Sequence, residues 1–226
     1  MKPEIILYSF KIGKFVINIT SDIIVQWAII LILGISVFLL TRNLKEKPNK
    51  IQTALENFYE VVNSLVLSTM GESYGRFVPY IGTLMIYLLM LNFTGLVGIE
   101  PPTQKLSTAI AFAITSFCVI HVNAIKKNGP IEYLEGYAKP FVLMLPINVM
   151  EKIVFPVSLS LRLFGNMLAA TIIIDLIYQA LGNIGIFAQI GLPVIVHGYF
   201  DLFDGTIQMI VFTMLTMIQI KLTAEE

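Results

Sequence analysis

The chain has 226 residues, of which 56% are hydrophobic and 13% charged, against about 25% charged in ordinary soluble domains. This composition argues against a water-soluble enzyme and for one integral membrane domain covering residues 1–226. Its 15 basic and 15 acidic residues cancel, so no global field favours nucleic acid. The only cysteine, Cys118, excludes an internal disulfide and a multi-cysteine metal site, and reads as core filler.

No short apolar core with a small-residue cleavage site opens the chain, so no removable signal peptide is expected. The first membrane span is predicted over about 23–40, with Ser21 and Asp22 as N-cap candidates and a basic stop from Thr41 to Lys50. Over 51–70, Ile51, Ala54, Leu55, Phe58, Val61, Val62, Leu65 and Val66 recur at helical spacing while polar residues fill the other face. That segment is expected to be an amphipathic helix at the membrane surface. Spans at about 77–97 and 106–125 follow as a hairpin, and Ile131 to Lys139 reads as a connector. Two apolar segments, about 140–181 and 192–222, exceed the ~20 residues that a perpendicular span requires, so both are expected to tilt or bend near Pro146 and Pro156. The fold class is thus an all-α polytopic membrane protein with about five spanning helices, the last two long and tilted, plus one surface helix.

Arg42, Lys45, Lys47 and Lys50 follow the first span and Lys126, Lys127 and Lys139 follow the hairpin, whereas the alternate loops hold only Lys105. The positive-inside rule then puts the N-terminus outside and the C-terminus in the cytoplasm. Lys2, Lys11 and Lys14 count against this orientation.

The chain has three arginines, and Arg162 alone lies deep in an apolar run. An Arg at the centre of a membrane helix costs ~2.5–3.5 kcal/mol on insertion scales, so it should face a partner, a cavity or an ion path. At ~100° per residue, Asn148, Glu151 and Ser158 fall within roughly 40° of Arg162, with Asn166 beside them. Asp175 falls on a different face, roughly 140° round and about 20 Å further along the axis, and Glu151 lies about 16 Å in the other direction, so polar groups approach Arg162 from both membrane sides. On the last span His197, Asp201, Asp204 and Gln208 are spaced four, three and four residues apart, which aligns them on one face of an α-helix. Ser158, Asn166 and Gln208 equally suit interhelical hydrogen bonding. Asp201, Asp204 and His197 also suit the outer interface, Glu151 could pair with Lys152, and His121 reads as a satisfied surface residue.

The stretch Ser158-Leu-Ser-Leu-Arg-Leu-Phe-Gly-Asn166 resembles the signature of subunit a of rotary F-type ATP synthases. Asn92-Phe-Thr-Gly-Leu-Val-Gly with Pro102-Thr-Gln-Lys-Leu-Ser-Thr-Ala-Ile-Ala111 is similar to the family's hairpin turn, and Gly205-Thr-Ile-Gln208 with Leu215 to Glu226 to its last helix. The resemblance implies a non-catalytic stator subunit in a bacterial cell membrane, partnered by a ring of small hairpin subunits (the c-ring), the peripheral-stalk subunit b and the bilayer. It also implies two offset half-channels that carry H+ or Na+ to and from the ring carboxylates, with Arg162 between them, and neither a cofactor nor a metal. The remaining ion-path candidates are Glu151, Asn148, Ser158, Asn166, Asp175, Asp201, Asp204, Gln208 and His197.

This sequence departs from some members of that family. Thr171 stands where they have a carboxylate nine residues after the arginine, and Asp201 where they have a histidine seven residues before the glutamine. Acidic groups at Asp175 and Asp201, with Asp204, are therefore expected in the outer half-channel. Glu151 matches a carboxylate frequent in the family on the inner side, where Asn148 replaces another. A secondary transporter would also bury Arg and Asp but should show an internal repeat, and no second copy of the Arg162 region is found. A structural scaffold would need no charged stripe. Neither a Gly-x-x-x-x-Gly-Lys-Ser/Thr loop nor a Gly-x-Gly-x-x-Gly turn occurs, so nucleotide chemistry on this chain is not expected.

Overall fold

The computed structural model describes residues 6–12, 15–42, 44–45, 47–136, 142–182, 193 and 195–225. Five helical segments among them are long and apolar enough to cross a membrane: Ser21–Thr41, Glu72–Val97, Leu106–Asn128, Leu145–Gly182 and Ile195–Glu225. The all-α polytopic architecture holds, with one addition. Strands β1 (Ile6–Ile12) and β2 (Phe15–Thr20) pair antiparallel, Phe10 opposite Ile17 and Lys11 opposite Val16. The β-branched and aromatic residues of β2 favour such an extended chain.

Helix α1 (Ser21–Thr41) is about 30 Å long, enough for the hydrocarbon core, and buries none of its residues. Its N-cap is Thr20, which makes no side-chain cap bond, so Ser21 and Asp22 lie inside the first turn. Asp22 instead pairs with Lys105, and Gln26 Nε2 donates to Thr108 Oγ1 at 3.3 Å. These bonds tether α1 to the end of the hairpin turn and the first turn of the helix that follows it. Helix α2 (Lys50–Met70) turns Val62, Val66 and Met70 inward, whereas Ile51, Phe58 and Val61 of the same predicted apolar face, and Tyr59, are exposed. Gly71, at φ 102°, ends it.

The expected single span at 77–97 has three parts: a 3₁₀ turn (Glu72–Phe77), α3 (Val78–Asn92) and a second 3₁₀ turn (Phe93–Val97). Gly98 closes the last part at φ 78°, a left-handed conformation that glycine adopts without a Cβ penalty, and its N–H bonds to Gly95 O at 2.9 Å. After a short turn at Pro102–Gln104, α4 (Leu106–Asn128) runs past the expected end at residue 125. Lys126 and Lys127 sit in its last turn, where cations complement the helix dipole. The expected connector begins as a short helix, α5 (Pro130–Gly136), with proline at the position where its missing N–H is harmless.

Helix α6 (Leu145–Gly182) has 38 residues, about 57 Å and well beyond a perpendicular span. It starts after the predicted residue 140, which lies outside the described residues with 141. Pro146 falls in its first turn, and the helix is uninterrupted at Pro156. Of the predicted last span, 192 and 194 lie outside the described residues. From Ile195 the chain is helical, widens into a π-helix over Gly198–Asp204, and continues as α7 (Gly205–Glu225).

Helix α4 packs against α6 and α7, and α7 also packs against α3 and α2. Ile81 and Leu88, Ala109 and Ala113, Leu159 and Leu163, and Phe212 and Ile220 meet in this core. The two alanines, one turn apart on α4, allow close backbone approach. Cys118 is exposed, which corrects its reading as core filler. It lies two residues from both Ser116 and Ile120, which are buried, so at ~100° per residue it points to the opposite face.

Candidate functional site

The buried side of α6 carries Lys152, Leu159, Ser160, Leu163, Met167 and Ala170. The polar stripe foreseen from helical spacing falls on the other side: Glu151, Ser158 and Asn166 are exposed, and Asn148 and Arg162 partly so. Among the described residues Arg162 makes no hydrogen bond or ion pair, and neither do Glu151, Ser158 and Asp175. The alternative reading, in which Glu151 pairs with Lys152, is not seen among the described residues. Lys152 is buried on the opposite side, with Nζ 3.4 Å from Thr223 Oγ1.

Three contacts fix how α6 lies against the last span. Lys152 meets Thr223 at one end, Asn166 Nδ2 donates to Gln208 Oε1 at 2.8 Å in the middle, and the rings of Tyr178 and His197 are 5.9 Å apart at the other end. Each step along α6 is matched by a step back along its partner, so the helices run antiparallel in one register. Within about a turn, that register puts Arg162 level with Thr213 and Asp175 level with Phe200 and Asp201. Gln208 is buried, and its Nε2 has no hydrogen-bond partner among the described residues.

The π-helix holds the second polar group. His197 Nδ1 lies 2.6 Å from Asp201 Oδ2, a short hydrogen bond between the imidazole and the carboxyl group. Asp201 is only 4% exposed. Its burial depends on Gly95, where a Cβ would stand 2.8 Å from the carboxyl carbon and from both oxygens. Beside it, the fully buried Asn92 donates from Nδ2 to Gly205 O at 3.0 Å and accepts from Thr103 Oγ1 at 3.0 Å. Gly205 is also close, with its Cβ position 3.0 Å from Asn92 Cβ. The 3₁₀ turn after α3 is therefore locked onto the π-helix through two glycines and one asparagine.

The structure thus joins His197 to Asp201 and Asn166 to Gln208, but not all four residues of the last span on one α-helical face. The π-helix changes the period between Asp201 and Gln208. Asp204 is half-buried and makes no hydrogen bond or ion pair with the described residues. Asn92, Gly95 and Thr103 were missed as site residues. An asparagine within the apolar run of the second span was the available signal.

The other membrane end is also tied by polar groups. Arg76 donates to Asn123 Oδ1, Lys127 to the Tyr74 hydroxyl at 3.2 Å, and the Tyr80 and Ser116 hydroxyls are 3.2 Å apart. His121 Nδ1 is 2.8 Å from the Tyr133 hydroxyl, a satisfied histidine as expected. No group of three or more His, Cys, Asp or Glu that could hold a metal ion occurs among the described residues.

Residues 23–221 match the family described as ATP synthase A chain. The chain is 35% identical over 209 residues to ATP synthase subunit a of Moorella thermoacetica, covering 92% of this chain and 91% of that protein. It is 30% identical over 225 residues to "ATP synthase subunit a, sodium ion specific" of Propionigenium modestum, covering 92% and 75%. Against ATP synthase subunit a 1 of Crocosphaera subtropica it is 32% identical over 207 residues, covering 90% and 86%. An apolar five-span bundle, a signature arginine on its uncovered side and similarity over nine-tenths of the chain agree: this chain belongs to the ATP synthase A chain family.

Proposed function

We propose that this chain, an ion-translocating membrane subunit of an ATP synthase, passes H+ or Na+ along two offset half-channels that Arg162 separates. One observation carries the reading: Arg162 stands on the uncovered side of α6 and has no hydrogen-bond or ion-pair partner among the described residues. A guanidinium at membrane depth is costly without a counter-charge. The counter-charge that fits is a carboxylate on a ring of small subunits passing along that side. Facing Arg162, such a carboxylate is held ionised and gives up its ion. Moving on, it takes one up from the other half-channel. The fixed positive charge also repels free cations and so blocks a direct leak.

The outer path runs through His197, Asp201 and Asp175, which lie near one level, with Asp204 and the Asn92 amide beside them. The inner path runs along Glu151 and Asn148. Asn166 and Gln208 lie about one turn from Arg162 on the outer side. A buried amide N–H is unfavourable unless it is bonded, and a hydrated passage beside Gln208 would satisfy its Nε2. The apolar side chains that α1 and α2 leave exposed suit the stalk subunit b and lipid.

The decisive experiment is ion-driven ATP synthesis in membrane vesicles. Arg162→Ala should assemble and insert yet lose synthesis by at least about 100-fold, in line with a single essential charge-stabilising group. Arg162→Lys should also fail, because a lysine lacks the planar fork that grips a carboxylate on two sides. Synthesis at the parent rate in an assembled Arg162→Ala complex overturns the assignment.

Orientation follows from the basic residues at Lys126 and Lys127 and after α1, which mark the cytoplasmic side. With Cys118 replaced, a cysteine at Asn128 should react with an impermeant thiol reagent only from the cytoplasmic face. Labelling from outside would exchange the two half-channels.

A further inference from the structure

Thr103, Asn92 and Gly205 form one buried hydrogen-bond chain from the hairpin turn to the last span. Thr103 Oγ1 donates to Asn92 Oδ1 and Asn92 Nδ2 donates to Gly205 O, each at 3.0 Å, and both side chains are fully buried. The far end of the chain dictates its direction. A backbone carbonyl only accepts, so the Asn92 NH2 group must face Gly205, which turns the amide oxygen to Thr103 and leaves that hydroxyl to donate. Gly205 is also where the π-helix stops: its N–H bonds to Phe200 O, five residues back, and to Leu202 O. The chain thus grips the last span at the residue where the wider winding gives way to α-helix.

We propose that Thr103 and Asn92 are positioning residues that hold the last span in its π register and thereby keep the Asp201 carboxyl over Gly95, within reach of His197. The functional half of this inference rests on the outer path through Asp201. A π turn is a rare winding, in effect an α turn with one residue inserted, and it persists only where its surroundings hold it. Rewinding it to α about a fixed Gly205 would carry Asp201 round the axis and bring Leu202 toward its place. Leu202 has no group to bond His197. Releasing the chain is costly, because a buried donor or acceptor left without its partner is strongly disfavoured. Pro101 and Pro102, buried beside Thr103 in sequence, stiffen the backbone that presents its hydroxyl.

The test maps the register by disulfide formation in the full chain, in membranes, with Cys118 replaced. Gly95→Cys with Asp201→Cys should cross-link on mild oxidation, because the Cβ position at 95 lies 2.8 Å from the Asp201 carboxyl carbon. Gly95→Cys with Leu202→Cys, carrying Asp201→Ala to clear the space, should cross-link poorly. Adding Thr103→Val, which matches threonine in shape and lacks the hydroxyl, should lower the first yield about tenfold and raise the second, and Thr103→Ser in its place should keep the parent pattern. With no other change, Thr103→Val should slow ion-driven synthesis about tenfold and Thr103→Ser less than about twofold. The cross-links are read whether or not the complex assembles, and Asn92→Ala should repeat the Thr103→Val result. A first yield unchanged by Thr103→Val, a fall without the rise at 202 that mere loosening would give, or a Thr103→Ser chain that behaves like Thr103→Val would each overturn the clamp. A shifted cross-link with synthesis at the parent rate would leave the clamp standing and sink the outer path through Asp201.

Discussion

Helix α6 and the last span carry similar polar side chains but treat them in opposite ways. On α6, Glu151, Ser158, Arg162 and Asp175 are wholly or partly uncovered, and none has a hydrogen-bond or ion-pair partner among the described residues. On the last span, Asp201 and Gln208 are buried, and each is bonded to a named side chain. Both lie where an unpaired polar group is expensive. The difference teaches which groups this chain satisfies by itself and which it leaves to something outside it. A carboxylate clamped against Gly95 is part of a fixed frame. An arginine with no partner among the described residues suits, on the proposed reading, a charge that comes and goes.

The strongest way to break that contrast within the fixed frame is to disturb Asp201. Asp201→Asn removes the charge from a buried hydrogen bond of the kind worth ~1.5–3 kcal/mol, and ion-driven synthesis should fall by about an order of magnitude in an assembled complex. Gly95→Ala should mimic it without touching either ionisable group. The new Cβ would stand 2.8 Å from the carboxylate, which must swing off His197 to make room. Overpacking of this kind costs ~1–3 kcal/mol. Asp175→Asn, at an exposed position on another face of α6, should slow synthesis less, and Asp175→Asn with Asp201→Asn should be worse than either. Rates measured across pH, with assembly checked by subunit recovery, decide the matter. If Gly95→Ala and the double variant both work like the parent, the outer path lies elsewhere.

The sequence made some of this contrast legible and hid the rest for identifiable reasons. The α6 stripe was readable because a straight α-helix keeps one period, so Glu151, Ser158 and Arg162 could be placed on one face by counting. Five spans were readable from apolar length alone. The frame around Asp201 was not, because two of its determinants have no periodic signal. Gly198–Asp204 is a π-helix, and a local widening of this type moves every later residue off the face that α-helical counting assigns. Gly95 matters for what it lacks, and that shows only once Asp201 is seen against it. Asn92 stood out in the sequence as an amide in an apolar run, but its partners Thr103 and Gly205 lie 11 and 113 residues away. Cys118 failed for the reverse reason: a composition rule put it inside, whereas helical counting from Ser116 and Ile120 would have put it outside.

The smallest functional effect, and the sharpest test of what covers α6, is expected two residues apart. Ser158 is exposed on the Arg162 side, while Ser160 is 4% exposed, with its Oγ donating to Val157 O at 2.9 Å. Cysteine is close to serine in size, so Ser158→Cys and Ser160→Cys should each change synthesis less than about twofold, within the ~0.5 kcal/mol typical of mild substitutions. Cys118 must first be replaced, because it is exposed and would take the label itself. In the isolated chain in detergent, Ser158→Cys should react readily with a membrane-permeant maleimide and Ser160→Cys should not. In the assembled complex, Ser158→Cys should become protected as the ring covers that side, and Ser160→Cys should be unchanged. The same rate for Ser158→Cys with and without the ring would mean that the Arg162 side faces lipid. The missing counter-charge would then have to be sought elsewhere.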